Sequence, residues 1–169
     1  VSPRTARLAS SRLQAVVSGK CRLRWCAVDQ DQRQAVERSV TGFFQDLGVE
    51  LVEYGKDRAV VALTLTQKHM NNASNLHGGV TASLLDIAMG LCGTWAPTAE
   101  ERRVAITLSL NVNFSATAPV GTRVRAVATC RSAGHKVFMA SCDLLDEKDK
   151  LIGFGEGVFK KGALRKDLP

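Results

Sequence analysis

A single carboxylate interrupts the longest apolar stretch of this chain. Residues 79–95 read as one helix carrying Val80, Leu84, Leu85, Ile87, Ala88, Met89, Leu91 and Trp95, with Asp86 among them. Apolar residues lie almost all the way round, which means burial on most sides. A buried carboxylate without partners is costly, so the position needs a reason. Its neighbours at spacings of three and four are Ala82, Ser83, Met89 and Gly90, with Gly93 one turn further. One acid in a stripe of mostly small residues leaves room for a ligand beside an ionisable group. The plain alternatives are an exposed polar stripe or an acid favouring the helix dipole. The dipole effect fades after the first turn, and Asp86 sits eight residues in.

Gly78 and Gly79 open the same helix, where backbone amides lack intrahelical acceptors. Such amides suit an oxyanion or a polarised carbonyl. Alone, a Gly-Gly pair is only a hinge into a helix; with an acid on the same helix it gains meaning. His77 invites a Ser-His-Asp triad with Ser83 or Ser109, but no G-x-S-x-G elbow occurs in the chain. A histidine at a helix start is more often a structural hydrogen-bonding group. His69 and His135 read as loop residues, and nothing pairs them for metal.

The elements that must position these residues follow from periodicity. Residues 34–46 read as a short helix with Val36, Val40, Phe43 and Phe44 on one side, ending before Gly48. Val49–Glu53 and Arg58–Thr66 read as strands joined by a turn at Gly55–Asp57. A polar loop over Gln67–Asn75 leads to the central helix, which Pro97 should stop. Val104–Phe114 alternates, with Ile106, Leu108, Leu110, Val112 and Phe114 on one face. Thr107, Ser109, Asn111 and Asn113 occupy the other. Strands over Thr122–Arg131, Val137–Leu145 and Leu151–Phe159 follow, with turns at Ala133–His135 and Asp146–Lys150. A run of strands with one buried helix before them is an α+β plan with an antiparallel sheet of five to six strands. Gly153, Gly155 and Gly157 share one face of the last strand, and bare positions there let a sheet curve tightly round a helix.

Composition narrows the function classes. The 169 residues suit one domain, and no apolar run approaches the roughly 18 residues that span a bilayer. The net charge is +7, but residues 1–33 hold seven Lys/Arg against two Asp. The remainder holds 16 basic and 14 acidic residues, so its chemistry does not centre on polyanions. Residues 1–33 lack apolar periodicity and read as a basic, disordered extension, an overlong start or a transit peptide, dispensable for folding and activity. The folded domain is expected over 34–163, with a tail over 164–169. Five scattered cysteines without a CxxC pair fit reduced thiols in the cytoplasm rather than structural zinc.

The pattern Asn71-x5-His77-Gly78-Gly79-x6-Asp86 resembles the signature of the phenylacetate-degradation (PaaI-type) branch of hotdog-fold thioesterases. Similarity of organisation extends from about Phe43 through Phe159. The resemblance implies a sheet wrapped round one long central helix and hydrolysis of an acyl- or aryl-coenzyme A. It implies Asp86 as general base on water or as direct nucleophile. Gly78 then matches the amide that polarises the thioester carbonyl, Asn71 a loop amide that holds carbonyl or water, and Thr107 a hydroxyl that orients the water. Asn72 competes with Asn71 for the loop role. His77, Gly79 and Ser83 are further candidates for substrate contact. A homodimer or homotetramer with sites shared between chains is implied, with no cofactor beyond the coenzyme A of the substrate. Ser74 stands where relatives usually have glycine; if that position needs a positive φ, the loop must differ or carry strain.

Coenzyme A calls for basic side chains. Arg123, Arg125 and Arg131 share a strand face, and Lys160 and Lys161 follow the last strand; a solvated face and tail is the plainer account of each. Two other readings of the same fold are a non-catalytic acyl-CoA-binding regulator and a hydratase. Asp86 weighs against the first, and the second would need an Asp/His pair. Nothing points to nucleic acid or membrane as a partner.

Overall fold

The computed structural model describes residues 42–98 and 100–164. Of the helix expected over 34–46, Phe43–Leu47 (α1) lies within them, and it ends at Gly48, whose φ of 77° is left-handed. Val36, Val40, the basic segment 1–33 and residues 165–169 fall outside the described residues.

Six strands form one antiparallel sheet: β1 (Glu50–Gly55), β2 (Arg58–Thr64), β3 (Arg103–Phe114), β4 (Arg123–Ala133), β5 (Val137–Leu145) and β6 (Leu151–Leu164). Their spatial order is β1-β2-β4-β5-β6-β3, which leaves β1 and β3 as edges. The long helix α2 (Gly78–Cys92) crosses the concave face and touches all six strands. This is the expected hotdog plan.

Strand alternation builds the core. Ala59, Val61 and Leu63 of β2, Val124, Ala126 and Ala128 of β4, and Phe138, Ala140, Cys142 and Leu144 of β5 are all buried. They meet Leu84, Leu85, Ala88, Met89 and Cys92 of α2. Full burial of each large apolar side chain contributes roughly 1.5–3 kcal/mol. The Phe138 and Phe159 rings stack at 5.1 Å. Gly153 and Gly155 face α2 as expected: a Cβ on Gly155 would lie 2.6 Å from the Asn111 carbonyl and 3.5 Å from Leu85. The bare strand lets the sheet close on the helix.

Three expectations change. The central helix ends at Cys92, capped by Gly93, and not near Pro97. A Cβ at Gly93 would fall 2.1 Å from the Phe138 ring, so packing sets this end before proline can. The helix is also buried on one side only, through Thr81, Leu84, Leu85, Ala88, Met89 and Cys92. Ala82, Ser83, Asp86, Ile87, Gly90 and Leu91 are half-buried. Finally, the clean alternation of β3 is broken by a bulge. Thr107 pairs with Phe159 and Ser109 with the adjacent Val158, so Leu108 is the extra residue. Ala105 and Thr107 therefore face α2 together with Leu110, Val112 and Phe114, while Ile106 faces outward. The hairpin turn at Asp146–Lys150 is closed as expected by Asp146 N–H to Lys150 carbonyl, 3.0 Å. Hydrogen bonds from the Lys150 and Lys148 amides hold the Asp146 carboxyl below the usual carboxylate range.

Candidate active site

The bulge in β3 has a chemical consequence. It keeps Thr107 on the helix-facing side, where its hydroxyl donates to Asp86 Oδ1 at 2.8 Å. Small residues permit this approach: a Cβ at Gly90, one turn beyond Asp86, would lie 3.2 Å from Ala105 Cβ. Asp86 is half-buried rather than enclosed, so its carboxylate is partnered and still open to a ligand. Strict alternation would keep Thr107 on one face with Ser109, Asn111 and Asn113; the bulge separates it from them and brings it to the acid.

The N-terminus of α2 treats its two glycines differently. His77 is the N-cap, and its Nδ1 accepts from the Gly79 amide at 2.9 Å. Its carbonyl accepts from Val80 and Thr81 at 3.0 and 3.1 Å. Of the four first amides, only that of Gly78 has no acceptor among the described residues. Gly79 is thus removed from the candidate donors, because a cap satisfies it. Through Nδ1, His77 makes the structural hydrogen bond that its position suggested. Beside Gly78 lies the Phe114 ring, 3.3 Å from where a Cβ would sit.

The loop before α2 is tightly self-bonded. Asn71 Oδ1 accepts from the amides of Ala73 and Asn75 at 2.9 and 3.1 Å, which commits its carbonyl to shaping the loop. Asn72 is exposed. Ser74 takes φ 57°, so the left-handed conformation is kept without a glycine. Ser83 donates to the Gly79 carbonyl at 2.8 Å, a bond within the helix rather than toward a ligand.

Arg123 and Arg125 lie elsewhere. Both point from the sheet face opposite α2, between inward-facing Val124 and Ala126. Arg123 pairs with Glu50 at 2.7 Å, and Arg125 binds the Asp146 carbonyl and Asp149. In this structure both guanidinium groups are thus engaged with the protein's own acceptors. Arg131 donates to Ser141 Oγ at 2.6 Å on the same outer face.

Two features escaped the sequence reading. His69 is no loop residue: it ends a 3-10 turn over Gln67–His69 and is 1% exposed. The other is a cleft of about 560 Å³ past the C-terminus of α2, lined by Gly93, Thr94, Trp95, Glu101, Arg103, His135, Lys136, Lys160 and Lys161. Four permanent cations face one acid there. Only the Lys160-Lys161 pair was conspicuous beforehand; the β4–β5 turn and the start of β3 bring the rest. Among the described residues no three His, Cys, Asp or Glu gather to hold a metal. Burial pushes the Cys92 thiol up to about 12 and raises Cys142 as well, so neither is a ready nucleophile.

Comparison with known proteins agrees with this fold. The sequence profile of the Thioesterase superfamily matches residues 73–152, which take in the end of the loop, α2 and strands β3 to β5. A 1,4-dihydroxy-2-naphthoyl-CoA hydrolase of Listeria monocytogenes is 30% identical over 66% of this chain and 88% of its own. A medium/long-chain acyl-CoA thioesterase of Escherichia coli is 29% identical over 71% of this chain and 85% of its own. Among solved structures, the PaaI protein of the E. coli phenylacetic acid degradation operon superposes with a TM-score of 0.68 at 19% identity. That match covers 79% of this chain and 93% of the other. The chain belongs to the thioesterase superfamily.

Proposed function

We propose that the protein hydrolyses the thioester of an acyl- or aryl-coenzyme A, in the manner of the PaaI-type branch. One observation carries this reading: Asp86 is held by the Thr107 hydroxyl while the Gly78 amide at the start of the same helix has no acceptor among the described residues. The amide would polarise the thioester carbonyl. Asp86 would take a proton from water as the hydroxide adds to the carbonyl carbon, or add to that carbon itself. In the first course the C–S bond then breaks, coenzyme A leaves as the thiol after protonation, and the free acid remains. In the second the same break leaves a mixed anhydride on Asp86, which water hydrolyses to the free acid and the regenerated carboxylate. Thr107 would orient both carboxylate and water.

The cationic cleft supports coenzyme A as the leaving group. It begins at Gly93, seven residues beyond Asp86 and so about 10 Å further along α2. Arg103, Lys136, Lys160 and Lys161 would there meet phosphates set well apart from the reacting carbonyl.

Gly78 and Asp86 are eight residues apart, about 12 Å along the axis at roughly 1.5 Å per residue. One carbonyl cannot reach both groups of one chain. Two chains with α2 antiparallel across a two-fold axis would bring the Gly78 of each to the Asp86 of the other. The reading is therefore a homo-oligomer with shared sites.

Thiol release from a panel of acyl- and aryl-CoA esters tests the reaction. Asp86→Asn should lower kcat by about a hundredfold or more with an unchanged melting curve. Near wild-type turnover by the purified variant would remove Asp86 from the mechanism.

A further inference from the structure

Among the buried polar side chains described, His69 is the most enclosed, and the chemistry proposed above makes no use of it. Its ring is bonded at both edges. The Thr66 backbone N–H donates to Nδ1 at 2.9 Å, so that nitrogen carries no proton. The ring proton therefore sits on Nε2, which donates to the Leu47 carbonyl at 2.9 Å. One neutral imidazole thus joins the exit of β2 to the end of α1.

The backbone of the same residue closes the loop that precedes α2. The His69 carbonyl accepts from the His77 amide at 2.9 Å. Inside that closure Met70 and Leu76 pair as a bridge, and the Asn71 amide bonds the Asn75 carbonyl at 2.8 Å. His77, the other half of the stem, is the N-cap whose next residue is Gly78. The direction of the Gly78 N–H is thereby set by a stem that the His69 ring anchors to the chain leaving β2 and to the end of α1.

We propose that His69 is a positioning residue for the Gly78 amide, acting through the His69–His77 stem and never touching substrate. The proposal rests on Gly78 being the carbonyl-polarising donor. Such a donor works only when fixed where charge develops, so loosening its support lowers transition-state stabilisation more than substrate affinity.

His69→Asn offers an acceptor near the Nδ1 position but loses the bond to Leu47, and His69→Gln offers an N–H toward Leu47 instead. Both are assayed by thiol release, alone and combined with Gly78→Pro, which deletes the amide hydrogen. Proline is tolerated at the first helical position, and His77 already has the extended backbone, ψ 133°, that a following proline requires. Each single His69 variant should lose about tenfold or more in kcat with KM within roughly threefold. In the Gly78→Pro background neither should reduce kcat further, because the donor they position is gone. If His69→Asn does not melt cooperatively, His69→Gln is the variant read. Wild-type kcat in a folded His69 variant, a loss confined to KM, or losses that multiply with Gly78→Pro would each overturn the positioning role. A wild type that releases no thiol would instead overturn the proposed function, and this role with it.

Discussion

Ser74 shows how a single residue can be legible and still need the structure. Its φ of 57° is a conformation that costs a non-glycine residue about 1–2 kcal/mol. Its amide donates to the Asn71 carbonyl at 3.0 Å, a bond any residue there can make. Ser74→Gly should therefore raise stability by about 0.5–1 kcal/mol, the relief of strain less the greater freedom of glycine in the unfolded chain. Urea unfolding would show a higher midpoint at unchanged slope; a lower midpoint would mean that the serine hydroxyl contributes more than its backbone strain removes. Asp86 stood out for a related reason, as an acid among apolar residues. From the residues alone Gly79 could not be sorted from Gly78; the resemblance singled out Gly78, and only the placement of the His77 ring decides which amide is capped. His69 was missed for the same cause: its partners, Thr66 and Leu47, meet only once α1 and β2 are folded.

At the scale of elements the strands were readable because alternation and turn residues agree. The end of α2 was not, since proline is a visible stop whereas contact with a ring 45 residues later is invisible. That contact yields a prediction of sign. Gly93 has φ −91° and ψ −5°, which alanine adopts readily, so propensity alone says that Gly93→Ala stabilises by up to about 1 kcal/mol. The structure says the reverse. The new Cβ would lie 2.1 Å from Phe138, a ring 1% exposed and stacked on Phe159. Overpacking of this kind costs about 1–3 kcal/mol, so thermal unfolding should move down by several degrees. A higher melting temperature would show that Phe138 can shift freely. The β3 bulge was hidden differently: Leu108 and Leu110 are both apolar, so an extra residue between Thr107 and Ser109 leaves no mark in the pattern. Only its hydrogen-bond register reveals why Thr107 meets Asp86.

For the whole molecule, the exposed apolar surface and the site geometry make the same demand. The edge strand β3 leaves Ile106, Leu108 and Phe114 at 46%, 56% and 63% exposure, a long apolar edge of the kind proteins usually cover. Its Thr107 faces the acid and its Phe114 lies beside Gly78, so whatever covers β3 also closes the site. A second copy related by a two-fold axis would do both, and the prediction can be made quantitative. Asp86→Asn lacks the carboxylate and Gly78→Pro lacks the amide donor, so each alone should be nearly inactive. In a hybrid dimer with shared sites, one site combines both lesions and the other combines neither. Random exchange makes about half of the dimers hybrid, each with one of two sites intact, so an equal mixture should recover about a quarter of wild-type activity. Were each site built within one chain, every site in the mixture would carry a lesion and nothing would return. Mixed-isotope mass spectrometry verifies that subunits have exchanged. Silence of the mixture after verified exchange would rule out the shared site, and with about 12 Å between them in one chain Gly78 and Asp86 would then not act on the same carbonyl.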